Sequence, residues 1–391
     1  MKIAIAFGDD QVGEDPWQLC HALADRGHEA TVYVRRQVRQ TVGGEGNHRV
    51  VSVPVGPRGP VPAPEVLPYA GAWAAALERQ WYSDQPDVVH AYGWLGGLAA
   101  QLAARRQGLP TVQSFQGVTA ARRALSDGSP HENARGRVEP LLARSATWVT
   151  GESGADVDAL ARLRRSRARM SVLASGVDVE RFIPVGPAAP RGEVNRVLCL
   201  APDPLLCNGF DRVIRALPRL ADTELVLAET APADAAHDEV RAQLGELAAE
   251  LGVAGRVHMV GTVPARDLPK LIRSADVVAC TPREPPRPAT VLQAMACGVA
   301  VVALPVGVLT EAVVDNVTGL VLSSDRPGEL PAALRALLAQ SFRCESMGSA
   351  GRCRALSRFT WDRVALDALN IYRHIGSERL ASPLLQSAGL P

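Results

Sequence analysis

Residues 3–34 and 197–228 carry one pattern: an apolar strand, a glycine-containing loop, a helix with an apolar face, and a second apolar strand. Short apolar runs continue at intervals through both halves of the 391-residue chain. These observations predict an α/β protein of two Rossmann-like domains. Each is a doubly wound parallel sheet, because a right-handed strand–helix–strand crossover seeds that arrangement. The length agrees, since 391 residues exceed one ordinary hydrophobic core.

The elements follow in order. Ile3 to Phe7 reads as the first strand and Trp17 to Asp25 as its helix, ended by Arg26-Gly27-His28. Ala30 to Val34 is the next strand. Val88-Val89-His90, Thr111-Val112-Gln113, Trp148-Val149-Thr150 and Ser171-Val172-Leu173 complete the first sheet. The Pro/Gly-rich segment 185–192 has the composition of a linker. In the second half, Val197 to Leu200 is a strand, Phe210 to Leu220 a helix and Glu224 to Ala228 a strand. Val257 to Val260, Ala275 to Cys280, Val299 to Leu304 and Gly319 to Leu322 extend that sheet, with Thr290 to Cys297 as a helix between two of them. Thr360 has the residue type of an N-cap for a last helix, Trp361 to His374. The expected organisation is a first domain over 1–184, a linker over 185–192, and a second domain over 193–358. A helix over 359–376 returns towards the first domain, and 377–391 form a tail.

Composition excludes several classes. The net charge is +1 and the apolar content 47%, so neither a nucleic-acid nor a membrane-surface signature is present. The seven cysteines are odd in number and never spaced as a metal pair, which points to free thiols in a reducing compartment. The chain opens directly into a strand, and no apolar run reaches the roughly 18 residues of a spanning helix. A cytoplasmic protein without a transmembrane segment is expected. Asp9-Asp10 after the first strand suits a turn or a cap better than a metal pair. The arginine-rich run 162–169 suits a solvated helix end better than a phosphate patch. Only two lysines occur, Lys2 and Lys270.

Several segments, in this order and spacing, narrow the fold. They are Arg26-Gly27-His28-Glu29-Ala30-Thr31-Val32, Asp87 to Trp94 (DVVHAYGW), Gly176-Val177-Asp178 with Phe182 and Pro184, and Asn208-Gly209-Phe210-Asp211. Ala294-Met295-Ala296-Cys297-Gly298 and Val317-Thr318-Gly319-Leu320-Val321 complete the set. From residue 1 to about 375 the chain resembles actinobacterial family 4 glycosyltransferases, including the glycogen-synthase-like and inositol-phosphate-using members. The resemblance implies a GT-B fold, two Rossmann-like domains facing a cleft. It also implies retaining transfer of a sugar from a nucleoside diphosphate sugar to a small-molecule or glycan acceptor. No cofactor and no required metal are implied, because side-chain cations and backbone amides stabilise the leaving diphosphate.

The resemblance also locates the departures from the family pattern. Where members carry Gly-Arg and then Lys-Gly after the first strand of the second domain, this chain has Pro202 and then Asn208-Gly209, with Asp203 between them. Where they carry Glu-Pro-Phe-Gly and a second glutamate, it has Glu284 beside Pro285, Arg287-Pro288 and Gln293. The implied donor-binding set is therefore Asn208, Gly209, Arg283, Arg287, Thr290 and Gln293. Arg283 and Arg287 are either compensating cations or exposed loop arginines. In the first domain the phosphate-approaching glycine pair is reduced to Gly8 and Gly13, flanked by Asp9, Asp10, Glu14 and Asp15. One histidine position is Tyr92, and the cleft histidine is Gln116. The acceptor-binding candidates are Gly13, Tyr92, Gln116 and Arg135, the last also four residues from Glu139 and so placed for a helical ion pair. His90, at a strand end, reads as structural. No catalytic residue matches the family outright; Glu284, Gln116 and Tyr92 stand nearest to the chemistry.

Two functional readings follow: an active glycosyltransferase with a remodelled donor site, or a catalytically silent homologue partnering or regulating an active paralogue. A lysine-bound cofactor enzyme and a Gly-x-Gly-x-x-Gly dinucleotide enzyme both lack their residues.

Overall fold

The computed structural model describes residues 1–8, 13–35, 48–57, 61, 63–118, 130–323, 326 and 328–387. They form two compact units, one of Met1–Ser175 with Trp361–Pro391, the other of Gly176–Thr360.

The first unit holds seven parallel strands: β1 (Lys2–Phe7), β2 (Glu29–Arg35), β3 (Arg49–Val53), β4 (Val88–Tyr92), β5 (Thr111–Phe115), β6 (Trp148–Gly151) and β7 (Met170–Val172). Their order is β3-β2-β1-β4-β5-β6-β7, so the chain reverses direction beside β1 and β4. Ile3 stands between Ala30 and Val88 in register. Strands β4 and β5 are buried at every position, as parallel strands covered by helices on both faces must be. Strand β3 escapes the sequence reading because it is a five-residue edge strand, only partly buried, without a long apolar run.

The second unit has six parallel strands: β8 (Asn195–Ala201), β9 (Thr223–Glu229), β10 (Val257–Thr262), β11 (Val277–Cys280), β12 (Ala300–Ala303) and β13 (Gly319–Val321), in the order β10-β9-β8-β11-β12-β13. The crossovers β8→β9 and β11→β12 run in opposite directions across this sheet. Right-handedness therefore puts their helices, Phe210–Ala216 and Ala289–Ala296, on opposite faces. The first is shorter than its apolar pattern implies. Pro218 contributes no amide hydrogen, and the chain tightens into a 3-10 turn over Leu217–Arg219.

The segment 185–192 is not a free connection. Arg273 donates to the Pro187 carbonyl at 2.8 and 3.0 Å, the Ala189 amide to Lys270 O at 2.9 Å, and Arg191 to both Asp276 oxygens at 2.9 Å. These bonds hold the segment within the second unit, and the division falls at 175/176, ahead of it. Its Pro and Gly content reports turns, and side chains distant in sequence decide where it docks.

The last helix runs over Trp361–Ser387 and belongs to the first unit. Residues 377–387, expected as a tail, continue that helix, whereas 388–391 lie outside the described residues. Val364, Ala368 and Tyr372 join Ile3, Leu19 and Leu23 in one core cluster, and Arg26 pairs with Asp362 at 2.9 Å. Arginines 162, 165, 167 and 169 are exposed around the end of the helix Gly154–Arg164, whose start carries a Ser153/Asp156 capping box.

No disulfide forms, and Cys20, Cys199, Cys280 and Cys297 are buried. Burial pushes the Cys20, Cys280 and Cys297 thiols up to about 12, which suppresses the reactive thiolate. Only Cys353 is exposed. Ellman titration of the native protein is expected to show one fast thiol, lost in Cys353→Ser, with the buried four reacting only after denaturation. Rapid titration of more than three would contradict this.

Candidate functional site

In the first unit, Tyr92 and Gln116 meet at the carboxyl ends of β4, β5 and β6, where a doubly wound sheet presents ligand sites. Tyr92 ends β4 and is 4% exposed. Its ring stacks on His90 at 4.6 Å between centroids, and burial pushes its hydroxyl well above the ordinary value. Gln116, just past β5, donates from Nε2 to Asp15 Oδ2 at 3.0 Å, while its Oε1 is buried without a hydrogen-bond partner. A cavity of about 10 Å³ lies between Asp15, Tyr92, Gln116, Thr150 and Glu152, room for one water-sized group. The unpartnered Gln116 oxygen suits a donor placed there.

Arg135 does not point freely at a ligand. Its Nε donates to Glu139 at 2.6 Å, its Nη2 donates to the Gly117 carbonyl, and the pair is largely buried, at 16% and 2% side-chain exposure. It therefore braces the loop carrying Gln116. The i, i+4 helical ion pair that the spacing predicts is therefore present, but buried and not on the surface. Gly13 is exposed, with φ +66°, a left-handed backbone that favours glycine. Asp9 and Asp10 lie outside the described residues.

His90 is fully buried. Its Nδ1 lies 2.6 Å from the Tyr372 hydroxyl and its Nε2 2.7 Å from Ser114 Oγ, which in turn lies 2.6 Å from Thr150 Oγ1. Burial lowers its pKa to about 3, so the ring is neutral and bridges the sheet to the last helix. The structural reading of His90 agrees with this geometry.

In the second unit, the loops after β8 and β11 are stitched together. Gly209 has φ +80°, and a Cβ there would fall onto the Thr281 carbonyl oxygen. Thr281 Oγ1 donates back to Gly209 O at 3.0 Å, and the Arg283 amide donates to Cys207 O at 2.7 Å. Glycine at 209 is therefore set by close backbone approach, whatever else it does. Asn208 turns inward: its Nδ2 donates to Asp203 Oδ1 at 2.7 Å and to Asp203 O at 3.1 Å. Asp203 thus closes its own loop with the side chain that stands in the family's lysine position.

Arg283 makes a two-pronged pair with Asp211, at 2.7 Å for each bond, and is 27% exposed. It is neither an exposed loop arginine nor an uncommitted cation. Asp211, 72 residues away in sequence, had no local signal to announce this partnership. Pro285, in the loop of Glu284 and Arg287, packs so closely on Gly307 that a Cβ there would come within 2.8 Å. Thr290 and Gln293 are half-buried on the helix Ala289–Ala296. Among the described residues nothing accepts from or donates to the Gln293 side-chain amide, which stays available to a ligand. No group of three or more His, Cys, Asp or Glu side chains suited to a metal occurs among the described residues. None of the described helices is long and apolar enough to cross a membrane.

Comparison with known proteins covers both halves. Residues 17–181 match the family model described as Glycosyltransferase Family 4, and residues 207–354 that described as Glycosyl transferases group 1. The chain is 31% identical to the D-inositol 3-phosphate glycosyltransferase of Xylanimonas cellulosilytica, over 93% of this chain and 91% of the relative. It is 30% identical to the protein of that name from Actinosynnema mirum, over 91% and 90%. Among solved structures, sucrose-phosphate synthase from Thermosynechococcus elongatus shares the fold at a TM-score of 0.84 and 20% identity, over 97% of this chain and all of that one. Anabaena Alr3699/HepE, solved with UDP and glucose, gives 0.73 at 20% identity, over 98% of this chain and all of that one.

Proposed function

The chain belongs to the family 4 glycosyltransferases, and from that premise we propose that it transfers a sugar, with retention of configuration, from a nucleoside diphosphate sugar to an acceptor hydroxyl. The observation that carries this reading is the match at 31% identity along 91% of a glycosyltransferase relative, which spans both units. On this reading the donor lies against the second unit's Asn208–Gly209 turn and the Arg283–Gln293 segment, with the ribose on the uncommitted Gln293 amide. The acceptor lies against Tyr92 and Gln116 in the first unit, where Arg135 positions the Gln116 loop. Glu284 is the carboxylate assigned to the sugar. An inositol phosphate, the acceptor named for the relatives, is the first acceptor to try.

The altered donor residues set the expected strength. An amide at 293 accepts a hydrogen bond less strongly than a carboxylate, and no lysine faces the diphosphate. Binding of UDP, GDP and their glucose and N-acetylglucosamine esters, followed by calorimetry, is expected with Kd in the range of roughly 0.05–1 mM for at least one nucleotide. Incubating that nucleotide sugar with D-inositol 3-phosphate and a panel of glycans is expected to release the nucleoside diphosphate. Absence of any binding below millimolar concentration overturns the reading. A silent homologue that partners or regulates an active paralogue is then what remains.

A further inference from the structure

We propose that Thr150 and Gln116 together hold one neutral hydroxyl of the acceptor in the first unit's cavity. Tyr372, on the last helix, sets this up by fixing the direction of a buried hydrogen-bond chain that ends there. Assigning the hydroxyl to the acceptor rests on the transferase reading above; the chain itself does not. Its members are Tyr372, His90, Ser114 and Thr150, all in the first unit and each 5% exposed or less. The successive separations are 2.6, 2.7 and 2.6 Å.

Proton counting gives the direction. Each hydroxyl has one proton to donate, and a neutral imidazole has one N–H and one bare nitrogen. His90 is neutral, because burial lowers it to about 3. Among the described residues the Tyr372 hydroxyl has His90 Nδ1 as its one hydrogen-bond partner. With the ring proton on Nδ1, the Tyr372 O–H would be buried with nothing to accept it, which costs the full desolvation of that donor. Tyr372 therefore donates to Nδ1, and the ring proton sits on Nε2. Nε2 then donates to Ser114 Oγ, and Ser114 donates its own proton to Thr150 Oγ1. The Thr150 hydroxyl makes no other hydrogen bond among the described residues and lines the cavity, so its proton is left for whatever enters.

Gln116 supplies the complement. Its Nε2 donates to Asp15 Oδ2, which fixes the orientation of the amide, and its Oε1 is buried without a partner. Gln116 lines the same cavity, whose volume of about 10 Å³ admits one water-sized group. The occupant must accept one proton, from Thr150, and donate one, to Gln116. A hydroxyl does both. An ammonium has no lone pair for the Thr150 proton, and a phosphate dianion has no proton for Gln116. Tyr372, His90 and Ser114 are positioning residues in this scheme, whereas Thr150 and Gln116 touch the ligand.

Two measurements on the full-length protein test this. Nitrogen-15 NMR of histidine-labelled protein, with His90 identified by its absence in His90→Gln, is expected to show a proton on Nε2 and none on Nδ1 at neutral pH. This needs no variant of the cavity itself. Calorimetry with myo-inositol, a compact ring with a hydroxyl on every carbon, is expected to give millimolar binding. Thr150→Val is expected to weaken it by roughly fivefold or more, the worth of one hydrogen bond, and Thr150→Ser to keep it within about twofold of wild type. Tyr372 does not line the cavity. Tyr372→Phe is nevertheless expected to weaken binding about twofold, since both tautomers are then populated and only one presents the Thr150 proton. The Nδ1–H tautomer in wild type, no binding of myo-inositol, or undiminished binding by Thr150→Val would each overturn the proposal. UDP and GDP are titrated alongside. Nucleoside diphosphate binding without myo-inositol binding sinks this inference alone. Binding of myo-inositol without either nucleotide sinks the transferase reading and keeps the hydroxyl site.

Discussion

Gln293→Glu combined with Asn208→Lys and Asp203→Asn is expected to tighten nucleoside diphosphate binding by roughly 100-fold, read as Kd by calorimetry. The three changes act together for a structural reason. A carboxylate at 293 accepts a ribose hydroxyl more strongly than an amide, a gain of about fivefold to tenfold. A lysine at 208 adds a cation for the diphosphate, worth about tenfold or more. Asn208→Lys alone, however, is expected to gain less than about threefold. Asp203 Oδ1 sits 2.7 Å from the Asn208 amide nitrogen and would capture the new ammonium. Asp203→Asn removes that competing charge while keeping an oxygen for the Leu205 amide, now bonded at 3.0 Å. No change in the triple variant would mean that the loop after β11, with its Arg283–Asp211 pair and prolines 285, 286 and 288, no longer admits a diphosphate.

His90→Phe is expected to destabilise the protein by about 3 kcal/mol at pH 7.5, because two buried hydroxyls, of Tyr372 and Ser114, lose their partner. The pH dependence gives a sharper readout. In the native protein burial lowers His90 to about 3, against an ordinary value of 6.5. Above pH 6.5 the ring is neutral folded or unfolded, and its contribution is fully present. Between pH 6.5 and 3 only the unfolded chain binds the proton, so stability falls with pH by about 1.4 kcal/mol per unit. From pH 7 to pH 5 this residue alone removes about 2 kcal/mol. Its aromatic neighbours Tyr92 and Tyr372 stay neutral throughout, since burial pushes both hydroxyls upward. Urea unfolding at pH 7.5, 6 and 5 is expected to show a flatter slope in His90→Gln, which retains polar groups but does not titrate. Parallel slopes in wild type and variant would contradict the assignment.

Both experiments probe residues whose type was legible in the sequence and whose partners were not. The apolar runs of β1, β4, β8 and β11 announced parallel strands because such strands are buried on both faces, leaving no alternation to confuse the pattern. Edge strands have weaker signatures: β3 is short and only partly buried, and β10 exposes most of its length, with a register shift between Met259 and Gly261. The last helix outruns its apolar pattern, which ends in mixed Ser, Pro and Leu while the helix continues to Ser387. The composition of segment 185–192 predicts a linker, yet Arg191, Arg273 and the Lys270 carbonyl dock it on the second unit.

For the candidate site, the order of residues fixes which chemical groups exist. It offered no lysine near the donor loops, an amide at 293, proline where amide donors were expected, and glutamine and tyrosine in place of two histidines. These are properties of covalent identity, and folding does not change them. Which of those groups are engaged follows from how the fold packs them. Arg283 is held by Asp211, Asn208 by Asp203 and Arg135 by Glu139, whereas the Gln293 amide and the Gln116 oxygen keep capacity for a ligand. The physical reason is that hydrogen bonds and ion pairs act over about 3 Å, between side chains that the sheet brings together from loops far apart in sequence.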